Sequence, residues 1–125
     1  MTGSNFPKTL RLLRPTEFER VFAARNSASN AWLVLYGAAN ELGHPRLGLT
    51  VTRKVGGAVQ RNRWKRLIRE AFRSSQQSLP ALDFICLPRA PAPPALDQLQ
   101  SSILELAGRL NRKSRKRPPH APRAV

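Results

Sequence analysis

The chain has 125 residues, with 22 Lys and Arg against 7 Asp and Glu, a net charge of +15 and a pI near 11.9. That length supports one domain, and self-repulsion of this size is most simply tolerated when a polyanion neutralises it, which points to nucleic acid. One cysteine, Cys86, and two distant histidines, His44 and His120, exclude a disulfide framework and a metal-ligand cluster, while no apolar run approaches the length of a bilayer span.

In chain order, Met1–Leu13 lacks the apolar core of a secretion signal, so a cytoplasmic protein with a flexible N-terminus over residues 1–13 is expected. Thr16 followed by Glu19 forms a capping-box pattern behind Pro15, and Phe18, Val21 and Phe22 follow at helical spacing, which predicts a first helix over Thr16–Ala24. Ala31–Tyr36 is aromatic and β-branched and suits a strand. Leu47, Leu49 and Val51 alternate with Gly48, Thr50 and Thr52 in a second, half-buried strand. The Gly, His and Pro of Asn40–Pro45 make an antiparallel hairpin the economical link between them.

Gly56-Gly57 breaks that strand and opens a basic helix. Residues 53–73 hold eight cations against one acid, yet Trp64, Leu67, Ile68, Ala71 and Phe72 recur at the spacing of a buried helix face. Asn62, Arg66, Arg69 and Arg73, flanked by Lys65, then share the opposite face as a ridge able to grip successive phosphates. Glu70 reads as an ion-pair partner within this helix, and Trp64 as core. After Pro80, Leu82–Leu87 is apolar apart from Asp83 and reads as a central strand. A Pro-rich linker leads to a last helix with Leu96, Leu99, Ile103, Leu106 and Leu110 as its seam, and residues 111–125 read as a disordered basic tail. The order is an α+β sandwich of three helices on a small mixed sheet of about four strands, α-β-β-(β)-α-β-α, forming one RNA-binding domain over residues 14–110.

No catalytic constellation is present. Phosphodiester hydrolysis calls for clustered carboxylates or paired histidines, whereas Glu17, Glu19, Glu41, Glu70, Asp83, Asp97 and Glu105 stand singly. Neither catalytic nor metal-ligating residues are therefore expected in this chain. A membrane surface fits poorly because the basic helix lacks a broad apolar face, and DNA reading fits poorly because no helix-turn-helix pattern precedes it. A ribosomal or general RNA-scaffolding protein would share both the charge and the sandwich.

The stretch Ala58–Phe72 resembles the signature helix of the bacterial ribonuclease P protein family, with Arg61, Asn62 and Arg63 followed by Lys65, Arg66 and Arg69. Glu17-Phe18 with Val21-Phe22, Leu35-Tyr36, Leu47–Lys54 and Asp83–Ile85 resemble further blocks of that family in the same order, covering about residues 8–110. The resemblance implies a protein subunit that assists a catalytic RNA in cutting the 5′ leader from precursor tRNA, with Mg held mainly by the RNA. It implies that Arg61, Asn62, Arg63, Lys65, Arg66 and Arg69 contact the RNA subunit. It also implies that Phe18, Phe22, Tyr36, Arg53, Lys54 and Arg89 line a cleft for the single-stranded leader, where bases stack on aromatic faces and cations follow the backbone. The family fold is ribosomal-protein-like with a left-handed β-α-β crossover. Gly57 and Ala90 depart from the family pattern, in which a polar residue and a second cation are common at these places.

Overall fold

The computed structural model describes residues 10–116. Helix α1 spans Pro15–Ala23, strands β1, β2 and β3 span Ser27–Ser29, Leu33–Ala39 and Arg46–Leu49, α2 spans Ala58–Ser75, β4 spans Leu82–Pro88 and α3 spans Leu96–Lys116. Pro15 occupies the first turn of α1, where its fixed φ suits the helix and its missing N–H leaves nothing unsatisfied. Glu17 Oε1 accepts from the backbone N–H of Leu13 (2.7 Å) and of Arg14 (3.0 Å). The expected Thr16 and Glu19 capping pair is thus replaced by Arg14 and Glu17, two residues earlier, because the Glu17 carboxylate reaches the otherwise orphaned N–H groups.

The four strands lie in the order β1-β2-β4-β3. β1 and β2, and β2 and β4, pair antiparallel, whereas β3 and β4 pair parallel through the crossover helix α2. The expected hairpin between the second and third strands is not formed. β4 separates them, since its first five residues, Leu82–Cys86, are all buried and such a strand is most stable with a partner on both sides. β1, a three-residue edge strand of Ser27, Ala28 and Ser29, precedes β2, whereas the optional strand of the expected order stands after the second; it is too short and too polar for its sequence pattern to mark it.

Side-chain alternation sorts the sheet into two faces. Leu33 and Leu35 of β2, Leu47 of β3, and Leu82, Phe84 and Cys86 of β4 face α2 and α3, which contribute Trp64, Ile68, Phe72, Leu99, Ile103, Leu106 and Leu110 to the main core. Each such fully buried side chain stabilises the fold by about 1.5–3 kcal/mol before conformational entropy is counted. Trp64 is fully buried and its indole N–H donates to the Ala90 carbonyl at 3.0 Å, so its polar tip is satisfied within the core. The other face carries α1 and a smaller core of Leu12, Val21, Ala38 and Ile85.

Both expected termini are shorter than the sequence suggests. Leu12 is buried and its N–H donates to the Leu47 carbonyl at 3.0 Å, with Arg11 bridging Leu47 in parallel, so residues 10–13 are pinned to β3. α3 continues six residues into the segment read as a tail, through Lys116, because Leu110 still buries its side chain against the sheet and no helix breaker follows before Pro118. The remaining parts of both expected tails, residues 1–9 and 117–125, lie outside the described residues.

Candidate RNA-binding surfaces

The crossover helix begins at a sharp backbone turn. Gly56 has φ 125°, a conformation that side-chain-bearing residues rarely adopt, whereas Gly57 sits at the N-cap with φ −79° and extended ψ. The strand-to-helix turn therefore requires only the first glycine of the pair. Along α2, Asn62, Arg63, Arg66 and Arg69 are exposed and Arg61 and Lys65 half-buried. Asn62, Arg63, Lys65, Arg66 and Arg69 make no side-chain hydrogen bond or ion pair among the described residues. Arg73 does: its guanidinium binds Glu70 at 2.6 Å, which removes it from the free part of the ridge and gives Glu70 the role its sequence context indicates. Buried Arg61 Nε lacks a protein partner.

The aromatic residues lie on the opposite layer. The strand registers Ser27↔Tyr36, Tyr36↔Ile85 and Gly48↔Ile85 align Ser27, Tyr36, Ile85 and Gly48 in one row across the α1 face. α1 runs over that row. Phe18 lies over Gly48, so closely that a Cβ built on this glycine would stand 2.7 Å from the ring's Cζ. Phe22 meets Tyr36 edge to face, with ring centroids 4.9 Å apart. Beside this covered row runs an open one: Ser29 is exposed, and Val34 and Leu87, which pair directly, are half-buried. A groove results, floored by Tyr36, Val34 and Leu87 and walled by α1, from which Phe22 emerges 38% exposed.

Exposed cations follow β4 and β3 in the chain. Arg89 continues the alternation of Ile85 and Leu87, is exposed, and spends one guanidinium N–H on the Asn30 carbonyl at 2.9 Å, leaving other donors of its fork available. Arg53 and Lys54 follow β3 in a short 3₁₀ turn, Arg53–Val55, and both are exposed. The structure thus brings Phe18, Phe22 and Tyr36 together on one layer and Arg61, Asn62, Arg63, Lys65, Arg66 and Arg69 on α2, which packs against the other.

What fixes α1 in place was not legible from single residues. Asp83 is fully buried and receives Arg46 through both oxygens, Nε to Oδ1 at 2.8 Å and Nη2 to Oδ2 at 2.7 Å. Arg20 of α1 also binds its Oδ2, and Asn40 donates to Oδ1 at 2.8 Å. Arg46 in turn reaches Glu17 of α1 at 3.1 Å. The backbone N–H groups of Arg14 and Leu13, helped by Arg46, hold the Glu17 carboxyl below the usual carboxylate value, while the hydrogen bonds of Asp83 raise Arg46 further above its own. The one available signal was the lone aspartate in an otherwise apolar central strand, since a buried carboxylate demands cationic partners.

The sequence model of the ribonuclease P family matches residues 6–111. The ribonuclease P protein component of Photorhabdus laumondii is 51% identical over 85 residues, covering 67% of this chain and 71% of the relative. The structure of the Staphylococcus aureus RNase P protein superposes with TM-score 0.69 at 36% identity, over 79% of this chain and 93% of that one. The RNase P protein from Thermotoga maritima gives TM-score 0.71 at 30% identity, over 79% and 96%. The chain belongs to the ribonuclease P protein family. It is a protein subunit of the endoribonuclease that matures the 5′ end of tRNA together with an RNA subunit.

Ribonuclease P depends on Mg, and the described donors of this subunit do not suit that ion. Among the described residues no three acidic, histidine or cysteine groups converge, and the most buried carboxylate, Asp83, is already saturated by Arg46, Arg20 and Asn40. Cys86 is fully buried, and burial pushes its thiol up to about 12, so it is a core hydrophobe and no nucleophile at neutral pH. No described helix of this ribonuclease P protein is long and apolar enough to cross a membrane.

Proposed function

We propose that α2 seats this subunit on the ribonuclease P RNA while the groove beside α1 holds the 5′ leader of precursor tRNA, in the cytoplasm and with the Mg ions held by the RNA. The observation that carries this reading is the separation of two chemically different surfaces onto opposite layers of one sheet. The α2 ridge offers unpartnered guanidinium forks at helical spacing and little apolar surface, which suits the regular phosphate array of a folded RNA. The groove offers aromatic edges and an apolar floor, with exposed cations on the segments after β3 and β4, which suits unstacked bases on a single strand and gives little sequence preference.

Reconstitution tests both halves. With the RNA subunit and precursor tRNA, Arg66→Ala is expected to weaken assembly with the RNA and to lower its salt slope by about 0.9, the value for one phosphate contact on a duplex. Phe22→Ala is expected to spare assembly and to weaken precursor relative to mature tRNA by about 10-fold, in keeping with about 1–3 kcal/mol per stacked base. Equal loss for precursor and mature tRNA would return Phe22 to a purely structural role.

A further inference from the structure

From the end of the groove, we infer that Arg25, Arg112 and Lys113 form a second phosphate-binding patch at the β1 edge that takes the upstream part of a long leader. This rests on the groove as leader site and extends its path. The row Gly48, Ile85, Tyr36, Ser27 crosses the whole sheet and ends at β1, the edge strand. Arg53 and Lys54 follow β3 in the chain, just ahead of α2. A single strand that stacks at Phe22 and Tyr36 and follows the open row of Leu87 and Val34 leaves the sheet over exposed Ser29, two residues along β1 from Ser27.

Cations wait at that exit. Lys113 Nζ donates to the Ser27 carbonyl at 2.6 Å, which places an exposed ammonium on the outer side of β1. Asn26, itself buried, ties the same corner to α3 by donating to the Leu110 carbonyl at 3.1 Å, so the helix end is fixed relative to the strand. Arg112 is exposed beside Lys113. Arg25 stands between α1 and β1 with φ 54°, a conformation that favours glycine or asparagine, yet a cation occupies it. No acidic group pairs with Arg25, Arg112 or Lys113 among the described residues. A lysine on an edge strand also blunts unwanted strand pairing, but that duty uses one of the three ammonium donors and explains neither neighbour. The family match ends at residue 111, so Arg112 and Lys113 lie just beyond the part shared with the family.

The test uses the holoenzyme assembled on its RNA subunit and precursor tRNAs with leaders of about four and about twelve nucleotides, a short and a longer length within the range of typical single-strand sites. Arg112→Gln with Lys113→Gln keeps a donor for the Ser27 carbonyl but removes both charges. It is expected to weaken binding of the long-leader precursor about fivefold, to lower its salt slope by about 1.4 for two single-strand phosphates, and to leave the short-leader precursor unchanged. Lys113→Arg alone is expected to retain long-leader affinity. Equal losses for both leaders, or weakened assembly with the RNA subunit, would overturn the inference and assign the patch to the RNA subunit. No loss for either leader would overturn it while Phe22→Ala still discriminates precursor from mature tRNA. If Phe22→Ala also has no effect, the groove reading itself falls.

Discussion

Replacing Asp83 with alanine strikes the one buried charge cluster in the protein's described part. The carboxylate is fully buried and holds Arg46, which is itself only 18% exposed, through two hydrogen bonds of 2.8 and 2.7 Å. Removing it leaves the Arg46 guanidinium largely desolvated with Glu17 as its remaining anion, and strips a partner from Arg20 and Asn40. Breaking a buried pair in this way costs about 3–5 kcal/mol. Against a total stability of about 5–15 kcal/mol that is a large fraction, and it corresponds to a fall in Tm of roughly 12–20 °C for a domain of this size. The pairing energy is separable from the burial cost by a double-mutant cycle. Asp83→Leu with Arg46→Met removes both charges and is expected to be considerably milder than Asp83→Ala alone, because an apolar pair of similar volume incurs no desolvation. Urea denaturation of wild type, Asp83→Leu, Arg46→Met and the double variant, followed by circular dichroism, supplies the cycle, with Asp83→Ala measured alongside. A cost below about 1 kcal/mol for Asp83→Ala, the range of exposed ion pairs, would refute the claim that this network clamps α1 to the sheet.

Two further outcomes follow from the same layer. Gly48→Ala puts a methyl 2.7 Å from the Phe18 ring and 3.1 Å from Leu12 Cδ1; Phe18 is half-buried and its ring must swing aside, so about 1–3 kcal/mol of stability is lost and precursor affinity drops while assembly with the RNA subunit is kept, as binding assays on both partners would register. Glu17, held below the usual carboxylate value of 4.5 chiefly by the Arg14 and Leu13 N–H groups, stabilises the fold above that pH and loses this contribution as pH falls through its lowered value; the Tm difference between wild type and Glu17→Gln is expected to shrink between neutral pH and pH about 3, and a constant difference would show that the charge of Glu17 is irrelevant.

Much of the chain's business was written locally. The periodicity of Trp64, Ile68 and Phe72 under a cationic face marked α2, its inner side and its ridge, because an amphipathic helix needs only 3.6-residue spacing to declare which side is buried. The apolar run of β4 announced a central strand for a similar reason. The charge, +15 over 125 residues, required a polyanion, and the ordered motif blocks named the family. Phe18 and Phe22 were visible as a pair on one helix, but periodicity would have assigned both to the core.

The tertiary structure alone decided the rest, and in each case the cause is non-local pairing. β4 slips between β2 and β3, so the hairpin suggested by their sequence proximity never forms, and Tyr36 gains Ile85 instead of a β3 residue as its neighbour. Glu17, Arg20, Arg46 and Asp83 lie on three different elements, and only the sheet register lets isolated charges of the sequence meet as a clamp. Gly48 looked like a small residue on the second face of a strand; packing made it the space into which Phe18 settles, leaving Phe22 to emerge at the groove. Sequence fixes which residues can stack or bind phosphate by their chemistry, whereas which of them face the same single strand depends on contacts between residues far apart in the chain.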